Sequence, residues 1–333
     1  MILIYRYLIN IFFFVIIFII YSRRFTGKEN SERYKEKIFK SSFNIKRNFS
    51  KKLIWFHAAS LGELKSIIPI ITKLKQNKKF EFLITTCTVS SFQLFEKTFS
   101  KQKNIMHRFF PIDKVSLVEN FLESWSPNLV VFVDSEIWPN FILNIKKRDI
   151  PLVLLNARIT KKTFLRWKLI LKVANVIFRS FDLNLSSSKQ TQNYLKKLHA
   201  KKILYLGNIK LASEEKVNKN IFRNSKNLIK NKFWCGVSTH PEEEILILNT
   251  HIRLKKFYKD IKTVIIPRHT DRVKKIYQKC INLKIDSQIL SKNDQIKINK
   301  ELLIINSYGV MSNYLANCKS VFIGKSMIEK LKL

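Results

Sequence analysis

"LIWFHAASLGELKSII", residues 53–68, changes its period midway. The first five residues form an apolar run. After Ser60 the apolar side chains recur at Leu64, Ile67, Ile68, Ile71 and Leu74, the spacing of one helix face. A short buried strand feeding an amphipathic helix is one βα unit of a parallel sheet. Ser60 and Glu63 stand at the junction. Ser-x-x-Glu is the spacing of a capping box, in which both side chains satisfy backbone N–H groups at a helix start. It also sets a carboxylate at the carboxyl end of a strand, where a catalytic base could stand. Taken alone, the stretch favours the cap.

The rhythm continues outward. The β-rich runs "FEFLITTC" (80–87), "NLVVFVD" (128–134), "IPLVLLN" (150–156), "DLNLSS" (182–187) and "ILYLGN" (203–208) are separated by helix-like segments, including a long one over 161–179. Near-continuous apolar strands between helices predict a parallel sheet covered on both faces, a Rossmann-like unit. The polar stretch 212–232 breaks the pattern and reads as a linker with a bridging helix. Then "FWCGVS" (233–238), a helix opening at "HPEEE", "IKTVIIP" (261–267), a helix from Thr270, "ELLIINS" (301–307), a short helix and "SVFIG" (320–324) predict a second α/β domain. This domain stops about three strands into its sheet. The expected division is a membrane anchor at 1–22, an N-terminal Rossmann-like domain at 23–211 and a C-terminal domain at 212–333.

A chain of 333 residues with 46% hydrophobic content can bury a core and should form about two domains. The 62 Lys and Arg against 24 Asp and Glu give a net charge of +38, which calls for an anionic partner or surface. Much of that excess is a general richness in lysine. No zinc-finger spacing or RNP-like strand is present, so nucleic acid is not the expected partner. Cys87, Cys235, Cys280 and Cys318 lie far apart without a C-x-x-C pair and read as small reduced thiols. Residues 2–21, "ILIYRYLINIFFFVIIFIIY", carry one charge, Arg6, and as a straight helix would span roughly 30 Å. Arg23, Arg24 and Lys28 follow, so the positive-inside rule places the remaining chain on the cytoplasmic side of one N-terminal anchor.

In doubly wound folds ligands gather beyond the carboxyl ends of the strands. The polar residues there are His57 to Glu63, Asp134 to Asn140, Asn156 to Arg158, Asn208 to Lys210, Ser238 to Glu244, Pro267 to His269 and Ser307 to Gly309. Each group also has a plain structural reading: a Pro-bearing turn for "DSEIWPN", a dipole-matched helix start for "THPEEE", surface basic residues for "PRH".

"HAASLGE" (57–63), "DSEIWPN" (134–140), "LLNARI" (154–159), "GNIK" (207–210), "STHPEEE" (238–244), "PRH" (267–269) followed by Asp271 and Arg272, and "FIGKS" (322–326) resemble, in the same order, the 3-deoxy-D-manno-octulosonic acid (Kdo) transferases of lipid A biosynthesis. "GKENSERYKE" (27–36) is similar to that family too. The resemblance covers residues 1 to 326. It implies two Rossmann-like domains of the GT-B glycosyltransferase type behind an N-terminal anchor helix, at the cytoplasmic face of the inner membrane with its anionic lipids. The implied reaction moves Kdo from CMP-Kdo to lipid IVA with inversion, without metal or other cofactor.

The resemblance also assigns roles. Glu63 matches the general base, kept ionised by the helix N-terminus and pointing away from a cap made by Ser60 alone, with Gly62 leaving room for close approach. Asp134, Glu136 and Lys210 would stabilise the charge-separated transition state or position the sugar. Pro267 and Arg268 would contact CMP, and Ser307, Tyr308 and Gly309 would offer backbone N–H groups to the nucleotide. His57 is a packed strand-end residue. An amphipathic groove in the first domain, near the basic segment after the anchor, is the expected seat of the acceptor's acyl chains.

Two departures stand out. Val310 follows Gly309 where the family carries Glu, and after "FIGKS" the family's Gly-Gly-x-Asn-Pro-x-Glu segment is missing. The expectation is a second domain that is incomplete, with impaired stability and little turnover. Two rival functions fit the same residues: a GT-B transferase for another nucleotide sugar, and a non-catalytic membrane-anchored protein that binds anionic lipid.

Overall fold

The computed structural model describes residues 1–43, 49–211, 233–291, 294–297, 299–307 and 310–325. The linker and bridging helix expected over 212–232, together with Tyr308 and Gly309, lie outside the described residues. The chain divides into two compact units, Met1–Glu214 and Glu215–Leu333.

The first unit holds strands β1 (Lys52–His57), β2 (Phe80–Thr86), β3 (Ile105–Phe109), β4 (Leu129–Val133), β5 (Leu152–Ala157), β6 (Leu183–Ser186) and β7 (Ile203–Tyr205). The helices after them are α3 (Leu61–Leu74), α4 (Val89–Phe99), α5 (Val115–Trp125), α6 (Pro139–Lys147), the pair α7 (Lys161–Leu169) and α8 (Leu171–Arg179), and α9 (Lys189–Lys197). The sheet runs β3-β2-β1-β4-β5-β6-β7 with every pairing parallel. The order reverses between β1 and β4, so the crevice at their carboxyl ends is the topological switch point.

Alternation along β1 shows why its run is apolar throughout. Leu53 and Trp55 enter one core with Phe121, Phe132 and Phe141; Ile54 and Phe56 enter the opposite core with Leu64, Ile67 and Ile71 of α3. Both faces are covered, as in other parallel sheets. Truncating the fully buried Trp55 to Ala would cost on the order of 3–5 kcal/mol.

Strand β3 escaped the sequence reading because "IMHRF" alternates with His107 and Arg108. Its polarity is answered by the segment after the N-terminal helices, part of the "GKENSERYKE" motif. Arg33 reaches the carbonyl of His107 at 2.8 Å, and the amide of Phe109 donates to Glu36 Oε2 at 2.9 Å. This strap seals the sheet's edge with hydrogen-bonded charges, which a single-strand pattern cannot show.

The second unit holds β8 (Phe233–Thr239), α10 (Pro241–Phe257), β9 (Lys262–Pro267), α11 (Val273–Asn282), β10 (Ser287–Leu290), β11 (Leu302–Ile305), a short α12 (Met311–Leu315) and β12 (Ser320–Ile323). Its sheet is β10-β11-β9-β8-β12, again parallel throughout. Among the described residues the sheet has five strands, the four quoted runs and β10, whose "SQIL" is too short and polar to stand out. The helix expected from Thr270 opens with a 3-10 turn over Thr270–Arg272. All four cysteines are free, Cys235 and Cys280 buried.

Two helices differ from expectation. The 161–179 segment breaks at Ile170 into α7 and α8. The single straight N-terminal helix becomes α1 (Ile2–Ile11) and α2 (Phe13–Phe25), bent by 55°. Among the described residues no single helix is long and apolar enough to cross a membrane, although the pair passes that test together by length and composition. The bend has a tertiary cause. Tyr5 donates to Asp113 at 2.7 Å and Arg6 to Asn140 at 2.9 Å, tying α1 to the body, while Ile20 packs with Tyr34 and Ile38.

Candidate active site

Every polar group proposed for the first unit follows a strand of the β1–β4–β5–β7 run. Glu63 sits on the first turn of α3, buried to 9% exposure, and its position corrects the expected geometry. The carboxylate does not point away from the cap; it completes the capping box. Glu63 Oε2 accepts from the amides of Ala59 at 2.8 Å and Ser60 at 3.4 Å, and Oε1 accepts from the Ser60 hydroxyl at 2.7 Å. The two readings of Ser-x-x-Glu are therefore compatible in one side chain. Nor does the helix start dominate its ionisation. Burial pushes the Glu63 carboxyl above its ordinary value, against the pull of the Ser60 hydroxyl, and the negative charges of Glu136 and Asp134 push it further.

Those charges come from the turn after β4. Asp134 adopts φ 61°, and Asn156, at the end of neighbouring β5, adopts φ 57°. Left-handed backbone at two non-glycine residues on adjacent strand ends is stored strain of the kind found at functional sites. Side-chain bonds hold it. Asn156 Nδ2 donates to Asp134 Oδ1, Lys210 Nζ to Asp134 Oδ2, and the amide of Ile209 to Asn156 Oδ1 at 3.1 Å. Asn156 thus clamps "DSEIWPN" to "GNIK". Sequence reasoning had it only as a polar strand end; its place in "LLNARI" was the available signal.

Glu136 belongs to a second small network. Burial pushes its carboxyl up, but His57, through a hydrogen bond and its charge, and the Trp138 indole N–H more than offset this, so the net shift is downward. His57 Nε2 lies 3.3 Å from Glu136 Oε2 and Trp138 Nε1 donates to the same oxygen at 2.8 Å. His57 is fully buried, stacked on Phe110 at 3.7 Å with Nδ1 3.0 Å from Thr85 Oγ1. It is packed, as expected, and it also orients an acid. The outcome is two carboxylates shifted in opposite directions at one crevice, the pattern that separates a proton acceptor from a permanently ionised group.

In the second unit Pro267 ends β9 beside Thr239, buried, and the exposed Arg268 donates its amide to the Thr239 carbonyl at 3.2 Å. Ser307 follows β11, half-buried. Val310 is a core residue, packed with Phe233 and Ile305, so that position contributes apolar burial rather than an acceptor.

Two acids missed as functional join the motifs here. Glu244, fully buried, takes both arms of Arg272, and Glu243, also fully buried, accepts from the amides of His240 at 3.0 Å and Lys325 at 2.6 Å. "STHPEEE", "PRHTDR" and "FIGK" (322–325) are thereby stapled into one edge at the carboxyl ends of β8, β9 and β12. Gly324 makes the approach possible: a Cβ there would lie 2.2 Å from the carbonyl oxygen of Ser238.

Two all-parallel doubly wound units with acidic and basic groups at their carboxyl edges define an α/β protein resembling the GT-B glycosyltransferases. The family model "3-Deoxy-D-manno-octulosonic-acid transferase (kdotransferase)" matches residues 30–213. The chain is 32% identical over 289 residues to the 3-deoxy-D-manno-octulosonic acid transferase of Rickettsia felis, covering 86% of this chain and 62% of that protein. It is 32% identical over 317 residues to the Rickettsia bellii transferase, covering 94% and 74%. Among solved structures, UDP-GlcNAc 2-epimerase from Neisseria meningitidis bound to UDP-GlcNAc shares the fold, with TM-score 0.56 at 14% identity over 82% of this chain and 77% of that one. The chain belongs to the Kdo transferase family of glycosyltransferases, and its match spans about three fifths of the first relative's length.

Proposed function

We propose that the protein transfers Kdo from CMP-Kdo to lipid IVA with inversion, working from the cytoplasmic face of the inner membrane. The observation that carries this reading is the opposite shifting of Glu63 and Glu136 beside Asp134 at the switch point of the first sheet. A buried carboxylate with a raised pKa is a stronger base than an exposed one and suits removal of a proton from an alcohol near neutral pH.

In the proposed reaction Glu63 takes the acceptor hydroxyl's proton as that oxygen bonds to the anomeric carbon of Kdo. The bond to phosphate breaks, and its electron pair leaves with CMP. The Ser60 hydroxyl can rotate off Oε1 and free it for the substrate, while Oε2 stays fixed by the backbone. Asp134, held by Asn156 and Lys210, and the ionised Glu136 stabilise positive charge on the oxocarbenium-like sugar. Arg268 and Pro267 meet the cytidylate, Arg268 as a forked donor to phosphate, with Ser307, Tyr308 and Gly309 beside it. No metal or cofactor is assigned a role.

The relatives' printed names support the donor sugar, and the bent helix pair supports membrane attachment. Met1, Leu3, Tyr7, Phe14 and Phe18 are exposed on the pair, an apolar surface suited to lipid.

Membranes carrying the protein should move Kdo from CMP-Kdo to lipid IVA, and Glu63→Gln should lower the rate about 10²- to 10⁴-fold. A Glu63→Gln variant as fast as the parent ends the base assignment. Thermal stabilisation by UDP or ADP instead of CMP would favour another donor. Lipid binding without any transfer would favour the non-catalytic reading.

A further inference from the structure

Arg6 is the one charge in residues 2–21, and an isolated charge in so apolar a segment calls for a partner. Its partner, like that of the neighbouring Tyr5, lies at the start of α6. Arg6 Nε donates to Asn140 Oδ1 at 2.9 Å, and the Tyr5 hydroxyl donates to Asp113 Oδ2 at 2.7 Å. Both receiving residues are buried, Asn140 completely.

The start of α6 depends on those two residues. Trp138, its N-cap, makes no capping bond with its side chain, and Pro139 has no N–H to offer. The next two amides are capped from outside the helix: Asp113 Oδ2 accepts from the Asn140 amide at 3.0 Å and Oδ1 from the Phe141 amide at 2.9 Å. Asn140 Nδ2 returns to the Asp113 carbonyl at 2.6 Å, which locks the two segments together. Burial pushes the Asp113 carboxyl up to about 6, against the pull of the Asn140 amide, the Tyr5 hydroxyl, the Phe141 amide and the Arg6 charge. Without α1 that carboxyl would take a proton more readily and give up the negative charge that a helix start favours.

The same helix start borders the candidate site. Immediately before α6 the Trp138 indole N–H donates to Glu136 Oε2 at 2.8 Å. Phe110 packs against both Trp138 and Phe141, with ring centroids 5.2 and 4.6 Å apart. A shift of the helix start would carry Trp138 with it and take from Glu136 a donor that fixes it.

We propose that Tyr5 and Arg6 are positioning residues: docked on Asp113 and Asn140, they hold the start of α6 and, through Trp138, the Glu136 carboxylate. The inference rests on the proposed function and goes beyond it, because the first helix then sets the posture of an acid at the crevice in addition to meeting lipid.

The test uses the full-length protein in detergent and reads both turnover and the emission of Trp138. Tyr5→Phe/Arg6→Ala should lower kcat at least tenfold and leave the KM for CMP-Kdo unchanged, since the residues assigned to CMP lie in the second unit. Arg6→Lys keeps a donor for Asn140 and should recover most of the rate. Tyr5→Phe alone, which removes one hydroxyl, should lower it less than the double change. The double variant should also change the tryptophan emission, and that change should vanish when both chains carry Trp138→Phe. Ile20→Ala loosens the packing of α2 on Tyr34 and Ile38 without touching Asp113, and it should leave kcat and emission as in the parent.

Parent-like kcat and emission with both ties cut, or an equal loss in Ile20→Ala, overturns the inference. The emission readout needs no CMP-Kdo. A chain whose Trp138 responds to the double change but which never transfers Kdo keeps the positioning and loses the function. A double variant that transfers at the parent's rate keeps the function and loses the positioning.

Discussion

The Arg272 guanidinium grips the Glu244 carboxylate with two near-parallel bonds, Nε to Oε1 at 2.8 Å and Nη2 to Oε2 at 2.7 Å, across 28 residues of chain. Glu244 is fully buried, so its charge has little else to meet. Arg272→Ala should cost about 3–5 kcal/mol in the second unit by stranding that charge. Arg272→Lys should recover only part of the loss, because an ammonium cannot make the paired bonds. Denaturant titration of parent and both variants checks the order.

Glu63 should set the acid limb of the pH–rate profile. Its pKa is raised, so activity should rise with pH through a midpoint above the ordinary 4.5 of glutamate. Glu136→Gln removes one of the charges that raise it and should shift the midpoint to lower pH, whatever it does to the maximal rate. A midpoint that does not move would mean another group governs the limb.

His107 predicts an acid-labile first unit. Burial, then the cations of Arg33 and Arg108, hold its pKa well below 6.5. Arg33 lies 3.0 Å from Nδ1, and Thr86 Oγ1 lies 2.9 Å from Nε2. The folded state keeps the ring neutral while the unfolded chain binds a proton. The stabilisation is whole above about 6.5 and is lost as pH falls toward the folded value. Unfolding midpoints measured between pH 7.5 and 5 should fall in the parent and flatten in His107→Gln.

Gly324→Ala should selectively damage the carboxyl edge of the second unit's sheet, where the proposed reaction seats CMP. The new Cβ would need the β8 turn to move, since it would sit 2.2 Å from a backbone oxygen and not beside a flexible side chain. The expected cost is about 1–3 kcal/mol, with CMP binding weakened at least tenfold and the first unit's unfolding unchanged. Calorimetry on the full chain, with and without CMP, resolves the two effects.

The N-terminal pair should hold the protein on lipid through its outward aromatic face. Phe14 and Phe18 are 79% and 73% exposed. Phe14→Asp/Phe18→Asp should release the protein from anionic vesicles in a flotation assay, while Tyr5→Phe/Arg6→Ala, which cuts the ties to the body, should leave it bound. Retention of the double aspartate variant on vesicles would refute attachment by this face.

Much of the architecture was legible because periodicity is local. The apolar runs of β1, β2, β4 and β5 and the amphipathic face of α3 announce a parallel sheet within windows of a dozen residues, and the ordered motifs announce the family. The strands that were missed, β3 and β10, are polar or short, and β3 gains its burial from a strap more than sixty residues upstream. The bend at Phe12 follows the same logic: composition supports one straight helix, and Asp113 and Asn140 pull α1 onto the body.

The site divides in the same way. Residue identity alone marked Glu63, Asp134, Glu136 and Lys210 as acids and a base at strand ends. Only the three-dimensional arrangement decided that Glu63 caps its own helix while lying in the field of two other carboxylates, that Asn156 locks Asp134 to Lys210, and that Glu243 and Glu244 staple three distant motifs. Backbone periodicity is written in neighbouring side chains. Electrostatic coupling depends on distances between segments, and folding alone sets those distances.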